Sequence, residues 1–416
     1  MTTLRPFRAL RPADANAAQR VAALPYDVLS SDEARVAVEG NPDSFLHVDK
    51  AEIDLDPSVG LYDDAVYAKA KQNLRALVGR GVLVHDPSPC FFLYRQTMDG
   101  RSQTGIVGCA GVDDYLSNRV RKHELTRADK EKDRTRHVDT LDANTGPILL
   151  AHRRNQGLAA LVAGWVAEHE PVYDFTSEAG SSAVRNEVWR VADVATNLQI
   201  AALFTQMPAL YIADGHHRCA SAVNVAQRRR VQNPGHRGDE EFNYFLAVVF
   251  PEDQLHIMDY NRVVADRAGR TPEQLLAALT EVVTVGEPQV GPYRPAAKHE
   301  FGMYTDGSWY PLQVRPDLVD ESDPVASLDA AWLQDRVLDP LLGVANPRAD
   351  QRIDFVGGSR GLDELARRAG QEGVAFALFP VGMGDLFAVA DAGQIMPPKS
   401  TWFEPKLLSG LFIHPL

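Results

Sequence analysis

Residues 209–218 read Ala-Leu-Tyr-Ile-Ala-Asp-Gly-His-His-Arg. An apolar run stops at an Asp-Gly turn carrying two histidines and an arginine, and a helical stretch from Cys219 to Arg230 follows at once. The order strand, tight turn, helix aims unpaired backbone N–H groups and the positive end of a helix dipole at one point. That geometry suits an anion, most often a phosphate. Gly215 lets the backbone approach a ligand without a clashing Cβ, and Arg218 can add a bidentate clamp. Asp214 is no anion binder; beside a phosphate it would hold a metal or a hydroxyl. The competing structural reading makes Asp214 a helix N-cap and satisfies the histidines with neighbouring carbonyls.

Working outward, 416 residues are too many for one ordinary core and predict two or three domains. A hydrophobic content of 45% and a charged content of 24% fit a folded chain. The net charge of −13 argues against a general nucleic-acid surface while leaving room for a local basic pocket. Cys90, Cys109 and Cys219 form no CxxC pair, which disfavours a disulfide framework and a structural zinc site. Cys219 does follow His217 closely enough for a His/Cys metal cluster to be weighed. No signal-peptide core opens the chain, and no apolar run approaches the ~20 residues that cross a bilayer. The expectation is therefore a cytoplasmic protein without membrane or nucleic-acid partners.

Local patterns place the elements. Residues 1–30 are rich in Pro and Ala and read as a short strand and a loop. Ser30 or Ser31, with Glu33, looks like a cap before a helix at Ala34 to Val38. Tyr62, Val66, Ala70, Leu74 and Leu77 recur at helical spacing. Apolar segments on either side of Asp99-Gly100, and again around Asp306-Gly307, signal hairpins. Residues 157–168 read as a helix, 184–191 and 208–213 as strands around a helix from Val194 to Leu203, and Phe242 to Phe250 as a buried strand. Thr271-Pro272 opens another helix. Residues 362–369 read as helix, 374–379 and 385–390 as strands. This mixed order predicts an α+β or mixed α/β fold in three regions, 1–150, 151–270 and 271–416.

Two further constellations carry chemistry. Lys122 to His137, KHELTRADKEKDRTRH, holds six Lys/Arg and four Asp/Glu. Its charge spacing fits a solvated helix only partly, because Asp129–Asp133 and Lys130–Arg134 are like-charge at i,i+4. The alternative is a pocket lining in which Lys and Arg hold phosphates and a carboxylate serves as base. The second is Met396 to Lys406. Prolines stiffen its ends, and Lys399, Ser400 and Thr401 are residue types that hold phosphate or Mg²⁺. The glycines of a Walker A loop are missing, so no P-loop is implied. The apolar residues from Trp402 to Phe412 are too many for a loose tail. Leu24-Pro25-Tyr26-Asp27-Val28 could touch a ligand, although turn chemistry explains it equally well.

Taken together, these motifs resemble the bacterial and archaeal family known as domain of unknown function 1015. The likeness rests on Arg5-Pro6-Phe7, Pro25-Tyr26-Asp27-Val28, Lys122-His123-Glu124 with Thr126, and Lys130-Glu131 through Asp133-Arg134. It continues in Ala213 to Arg218 and in Pro398 to Thr401 with Pro405-Lys406. More distantly, His123-Glu124 and Asp214-Gly215-His216-His217-Arg218 are similar to the motif pair of ParB-like free-serine kinases. That resemblance implies a ParB/sulfiredoxin-like core with additional α/β elements, and transfer of phosphate from ATP or ADP to the hydroxyl of free L-serine. It implies Glu124 as general base, Asp214 orienting the hydroxyl or a Mg²⁺ ion, and His216, His217 and Arg218 gripping phosphate. Glu124, Asp214 and His217 form the implied catalytic set. Lys122, His123, Lys130, Arg134, Gly215, His216, Arg218, Lys399, Ser400 and Thr401 form the implied substrate- and phosphate-binding set. The long separation of the two motifs requires an inserted element. Sulfiredoxin chemistry is disfavoured, because His216 stands where its cysteine would.

The sequence thus points to a small-molecule kinase whose partners are a nucleotide and a hydroxyl-bearing metabolite. Phosphoryl transfer needs mainly positioning and charge neutralisation, which these residue types supply. The alternative is a ParB-like nucleotide-binding switch without kinase activity. A homodimer is compatible with either.

Overall fold

Apolar strands of alternating or continuous pattern dominate the chain, and they collect into two sheets. The computed structural model describes residues 1–179 and 182–416. Its contacts divide into two compact units, one of Met1–Leu255 with Pro405–Leu416, the other of His256–Glu404. The fold is mixed α/β, as the element order implies. The division differs from three consecutive regions. Residue 150 lies inside the strand Ile148–His152, in the middle of the first unit's sheet.

That sheet runs in the order Val120–Arg121, Leu210–Asp214, Ile148–His152, Tyr244–Pro251, Arg101–Gly111, Phe91–Met98, Ser182–Val191, Tyr173–Ala179; Leu4–Arg5 also pairs with Arg101–Gly111. Leu210–Asp214 pairs parallel with Val120–Arg121 and antiparallel with Ile148–His152. The hairpin at Asp99-Gly100 pairs Met98 with Arg101, and both turn residues take positive φ, 50° and 77°. A two-residue turn of that kind matches the twist of its strands. The central strands are buried on both faces, with Phe91, Leu93, Leu150, Ile212, Phe245 and Ala247 in one core.

The second unit carries an antiparallel sheet in the order Val283–Val285, Ser308–Val314, Glu300–Thr305, Val374–Leu378, Tyr260–Val264, Ile353–Gly357. Its hairpin turns at Asp306-Gly307, again with positive φ at both residues. The helix Pro272–Leu279 starts with a capping box between Thr271 and Gln274.

Several expectations fail locally. The strand expected at 385–390 is part of the helix Met383–Asp391. A short apolar run does not distinguish the two by itself; here Asp385 bonds back to the Gly382 N–H and Leu386, Phe387, Val389 and Ala390 face the core. Within residues 1–30 a helix, Ala15–Val21, is capped by Asp14, whose side chain accepts from the Ala17 N–H. The helix expected from Cys219 begins at His216 and runs to Gln232.

The tail returns to the first unit. Ser409 pairs with Ala23, Ile413 with Leu10, and His414 with Asn144. Leu407, Leu408, Leu411, Phe412 and Ile413 are buried, as their apolarity requires. Gly410 makes the turn, at φ +85°, and a Cβ there would lie 2.7 Å from Phe45 Cγ. We predict that Gly410→Ala destabilises the chain by about 2 kcal/mol or more, from left-handed strain plus overpacking. Urea unfolding reads this, and an unchanged midpoint would show that the tail is not anchored there.

Candidate functional site

The Asp-Gly turn lies at a flaw in the sheet. Ile212 pairs with Leu150 and Asp214 with Leu149, so one extra residue is accommodated at Ala213. A bulge of this sort re-aims the side chains beside it. Gly215 follows at φ +92° as the helix N-cap, a conformation that suits glycine. His216 and His217 therefore occupy the first helical turn. Asp214 is not the N-cap. Its Oδ1 accepts the Gly215 N–H at 2.8 Å, and its Oδ2 receives Lys406 Nζ at 3.2 Å. Burial acts to raise the Asp214 pKa, but Lys406 and Arg218 outweigh it and hold the carboxyl well below the usual carboxylate range. Asp214 is thus ionised at any physiological pH.

The two motifs meet here despite their separation in sequence. His123 packs edge-to-face on His216 with ring centroids 4.6 Å apart, and Glu124 Oε2 lies 3.9 Å from His216 Nδ1. Burial pushes the His123 imidazole down to about 4, and burial together with His123 pushes His216 well below its ordinary value. Both rings are neutral near pH 7. Among the described residues His216 Nε2 is buried without a hydrogen-bond partner, so the reading in which carbonyls satisfy the histidines does not hold for this nitrogen. Glu124 keeps a third of its side-chain surface exposed, at 33%.

The charged segment after Glu124 divides in two. Residues up to Arg127 are loop, and Ala128–Leu141 is a helix packed on His216–Gln232. Glu131 locks the arrangement. Its carboxylate accepts Thr126 Oγ1 and Asn224 Nδ2, which lower its pKa, and its main-chain oxygen accepts Ser221 Oγ. His217 is close enough to add to that lowering. Lys130 instead reaches Tyr62, with Nζ 3.3 Å from the hydroxyl, and exposed Lys122 lies over the Tyr115 ring. Arg134 turns inward. Its Nε donates to Asp133, and its guanidinium lies 4.2 Å from the Tyr26 ring centroid.

Arg218 closes one side of a small pocket whose walls include Tyr26, Asp49, Arg134, Thr145, Gly146 and Ser409. Its Nη1 donates to the Pro147 carbonyl at 2.7 Å. The structure therefore brings Glu124, His123, Asp214, Gly215, His216, His217 and Arg218 to one helix N-terminus, with Arg134 in the adjoining pocket. Lys399, Ser400 and Thr401 belong to the second unit. There Lys399 Nζ lies 5.7 Å from the Tyr260 ring centroid and Ser400 Oγ donates to the Pro397 carbonyl.

A metal finds little here. No group of three His, Cys, Asp or Glu side chains suited to a metal occurs among the described residues. The Cys219 thiol is buried and its pKa is raised by that burial. The residues present do not form a resident Mg²⁺ site.

A family model described as a protein of unknown function, DUF1015, matches residues 4–331. The chain belongs to this family. No curated protein matches it. Similar solved structures include SbnI with a C-terminal truncation from Staphylococcus aureus, 12% identical with a TM-score of 0.38 over 73% of this chain and 85% of that one. A free serine kinase in complex with AMP is 12% identical, with a TM-score of 0.34 over 72% and 86%. A conserved hypothetical protein from Pyrococcus furiosus is 13% identical, with a TM-score of 0.35 over 74% and 94%. At scores this low the likeness decides nothing about chemistry. Among the described residues, no helix is long and apolar enough to cross a membrane.

Sequence reasoning missed Lys406, Thr145, Asp49 and Ser409. Lys406 did carry a signal, the Pro405-Lys406 pair that ends the last motif. Nothing local marks the other three.

The buried neutral histidines have a measurable consequence. His123 and His137 titrate near 4 in the fold, through burial, against about 6.5 when unfolded. The unfolded chain binds their protons first, so stability is full above about pH 6.5 and falls towards pH 4. We predict that His123→Asn flattens part of that slope, read by urea unfolding over this range. An unaltered slope would show that His123 is not held neutral.

Proposed function

We propose that this chain is a nucleotide-dependent small-molecule kinase built on a ParB/sulfiredoxin-like core, with free L-serine as the first acceptor to test. One observation carries the reading. Two carboxylates of opposite character, Glu124 and Asp214, come to one helix N-terminus beside Arg218. The helix N-terminus and Arg218 suit the transferred phosphoryl group, whose charge they neutralise. Asp214, kept ionised by Lys406 and Arg218, suits a hydroxyl that must be oriented. Glu124, more exposed and set against a neutral histidine, suits the base that takes the hydroxyl proton. His217 stands in the same first turn and completes the phosphate grip. ATP or ADP is the donor class, and any Mg²⁺ would have to arrive with the nucleotide phosphates. Lys399, Ser400 and Thr401 form no part of this assignment, which uses residues of the first unit alone.

The test is nucleotide turnover with and without serine, with products read by mass spectrometry. We predict serine-dependent release of AMP or ADP with formation of a phosphorylated acceptor. Glu124→Gln should lower kcat about 10²-fold or more while leaving the melting temperature near the parent value. Nucleotide hydrolysis that ignores every acceptor would favour a regulatory switch, and an undiminished rate would remove Glu124 from the base role.

A further inference from the structure

Two neighbouring helices of the first unit turn an uncharged face to solvent. Gln156–Glu168 and Val194–Thr205 lie on the sheet core through Leu158, Ile200 and Phe204. They pack side by side, and a Cβ on Gly157 would lie 3.5 Å from Leu203 Cδ2. The opposite face of each helix is exposed. On the first it consists of Ala159, Ala160, Ala163, Gly164 and Ala167. On the second, Val194 and Leu198 are 71% and 67% exposed. Residues 156–167 and 194–205 include no Lys, Arg, Asp or Glu. The solvent face of a surface helix normally carries charge, and here two adjacent faces carry none. In a chain with 24% charged residues, that is a patch and not scatter.

The charges at the ends of the first helix indicate what covers the patch. Arg153 and Arg154 stand just before its N-terminus, Glu168 and Glu170 stand at its C-terminus, and all four are exposed. That order opposes the helix's own dipole, which favours acids at the start and bases at the end. Arg154 Nε lies 3.6 Å from Asp253, with 67% of the arginine side chain still exposed. An antiparallel copy of the same helix supplies the missing complement. The pairs Arg153 with Glu170 and Arg154 with Glu168 are both centred on Leu161–Val162, so one two-fold axis crossing the helix there matches both ends at once. Beside such an axis each residue meets its own copy, and a charge would repel itself. The exposed residues there are Ala160, Ala163 and Gly164, which also let two backbones approach closely. A net charge of −13 makes self-contact through charged faces unfavourable. Each helix is about 20 Å long and about 10 Å wide, so the pair offers a footprint of about 400 Å². That is roughly half of the ~800 Å² per partner of a stable interface, and the charged ends extend it.

We propose that this face is the interface of a two-fold homodimer. The Gln156–Glu168 helices pack antiparallel, Arg153 and Arg154 of one chain meet Glu168 and Glu170 of its copy, and Val194 and Leu198 cover the flank. The inference does not depend on the reaction at Asp214.

Sedimentation equilibrium on the full chain tests it, with far-ultraviolet circular dichroism as the folding control. The parent should sediment at twice the chain mass at about 100 μM, a concentration that populates even weak interfaces. A Cβ on Gly164 meets nothing within 4 Å, so Gly164→Glu fits the folded monomer. It sets like charges together near the axis and should weaken the dimer at least about 10-fold. Arg154→Glu and Glu168→Arg should each weaken it several-fold, and the two together should restore it to within about 3-fold of the parent. A purely structural role within one chain would not produce that restoration. If Gly164→Glu fails to fold, the charge-reversal pair carries the test. A parent that stays monomeric would overturn the proposal. So would a Gly164→Glu dimer as tight as the parent, or a double reversal as weak as either single one. A monomeric parent that floats with phosphatidylcholine vesicles would overturn it in favour of a membrane surface.

Discussion

The ion pair between Lys406 and Asp214, at 3.2 Å, is the contact on which the site depends. It sets a charge that the local sequence alone would not fix. Asp214 sits at the end of a buried strand, where desolvation favours the neutral acid. Lys406 and Arg218 reverse that preference. Lys406 is itself held by the returning tail, whose leucines are buried and whose main-chain oxygen at Lys406 accepts Gln96 Nε2. An apolar anchor thus delivers a cation to a carboxylate almost two hundred residues away in sequence, 192 positions to be explicit.

Around this pair the site sorts its charges by solvent access. His123 and His216 pack edge-to-face, buried and neutral, so they add no positive charge beside Glu124. Glu124 stays partly exposed, where an incoming molecule can reach it. Glu131 is withdrawn from chemistry by Thr126 and Asn224 and serves as the bolt between loop and helix. The dense charge of the 122–137 segment is therefore neither a plain solvated face nor a uniform phosphate cradle. One of its carboxylates fastens the fold, one faces the turn, and its buried arginine lines a pocket.

Much of the fold was legible because its signals are local. Asp99-Gly100 and Asp306-Gly307 demand positive φ at two adjacent residues, which few dipeptides accept so readily. Ser30 with Glu33, and Thr271 with Gln274, write their own helix starts. The segment at 385–390 was not legible in the same way, because five apolar residues suit a buried strand and a buried helix alike. Only the bond from the Gly382 N–H to Asp385 and the packing of Phe387 settle it.

The sequence by itself determined the strand, turn and helix at Asp214 to Arg218, the mixed α/β class and the residue types of the site. Those follow from backbone sterics and hydrophobic pattern, which act over a few residues. Only the tertiary structure decided that His123 and Glu124 meet His216. It also decided that Lys406 pairs with Asp214, and that Tyr26, Arg134 and Ser409 share one cavity. Those facts depend on which surfaces the long-range burial of apolar side chains brings together, and on the pKa shifts that the burial then imposes. Neither is a property of any short stretch of chain.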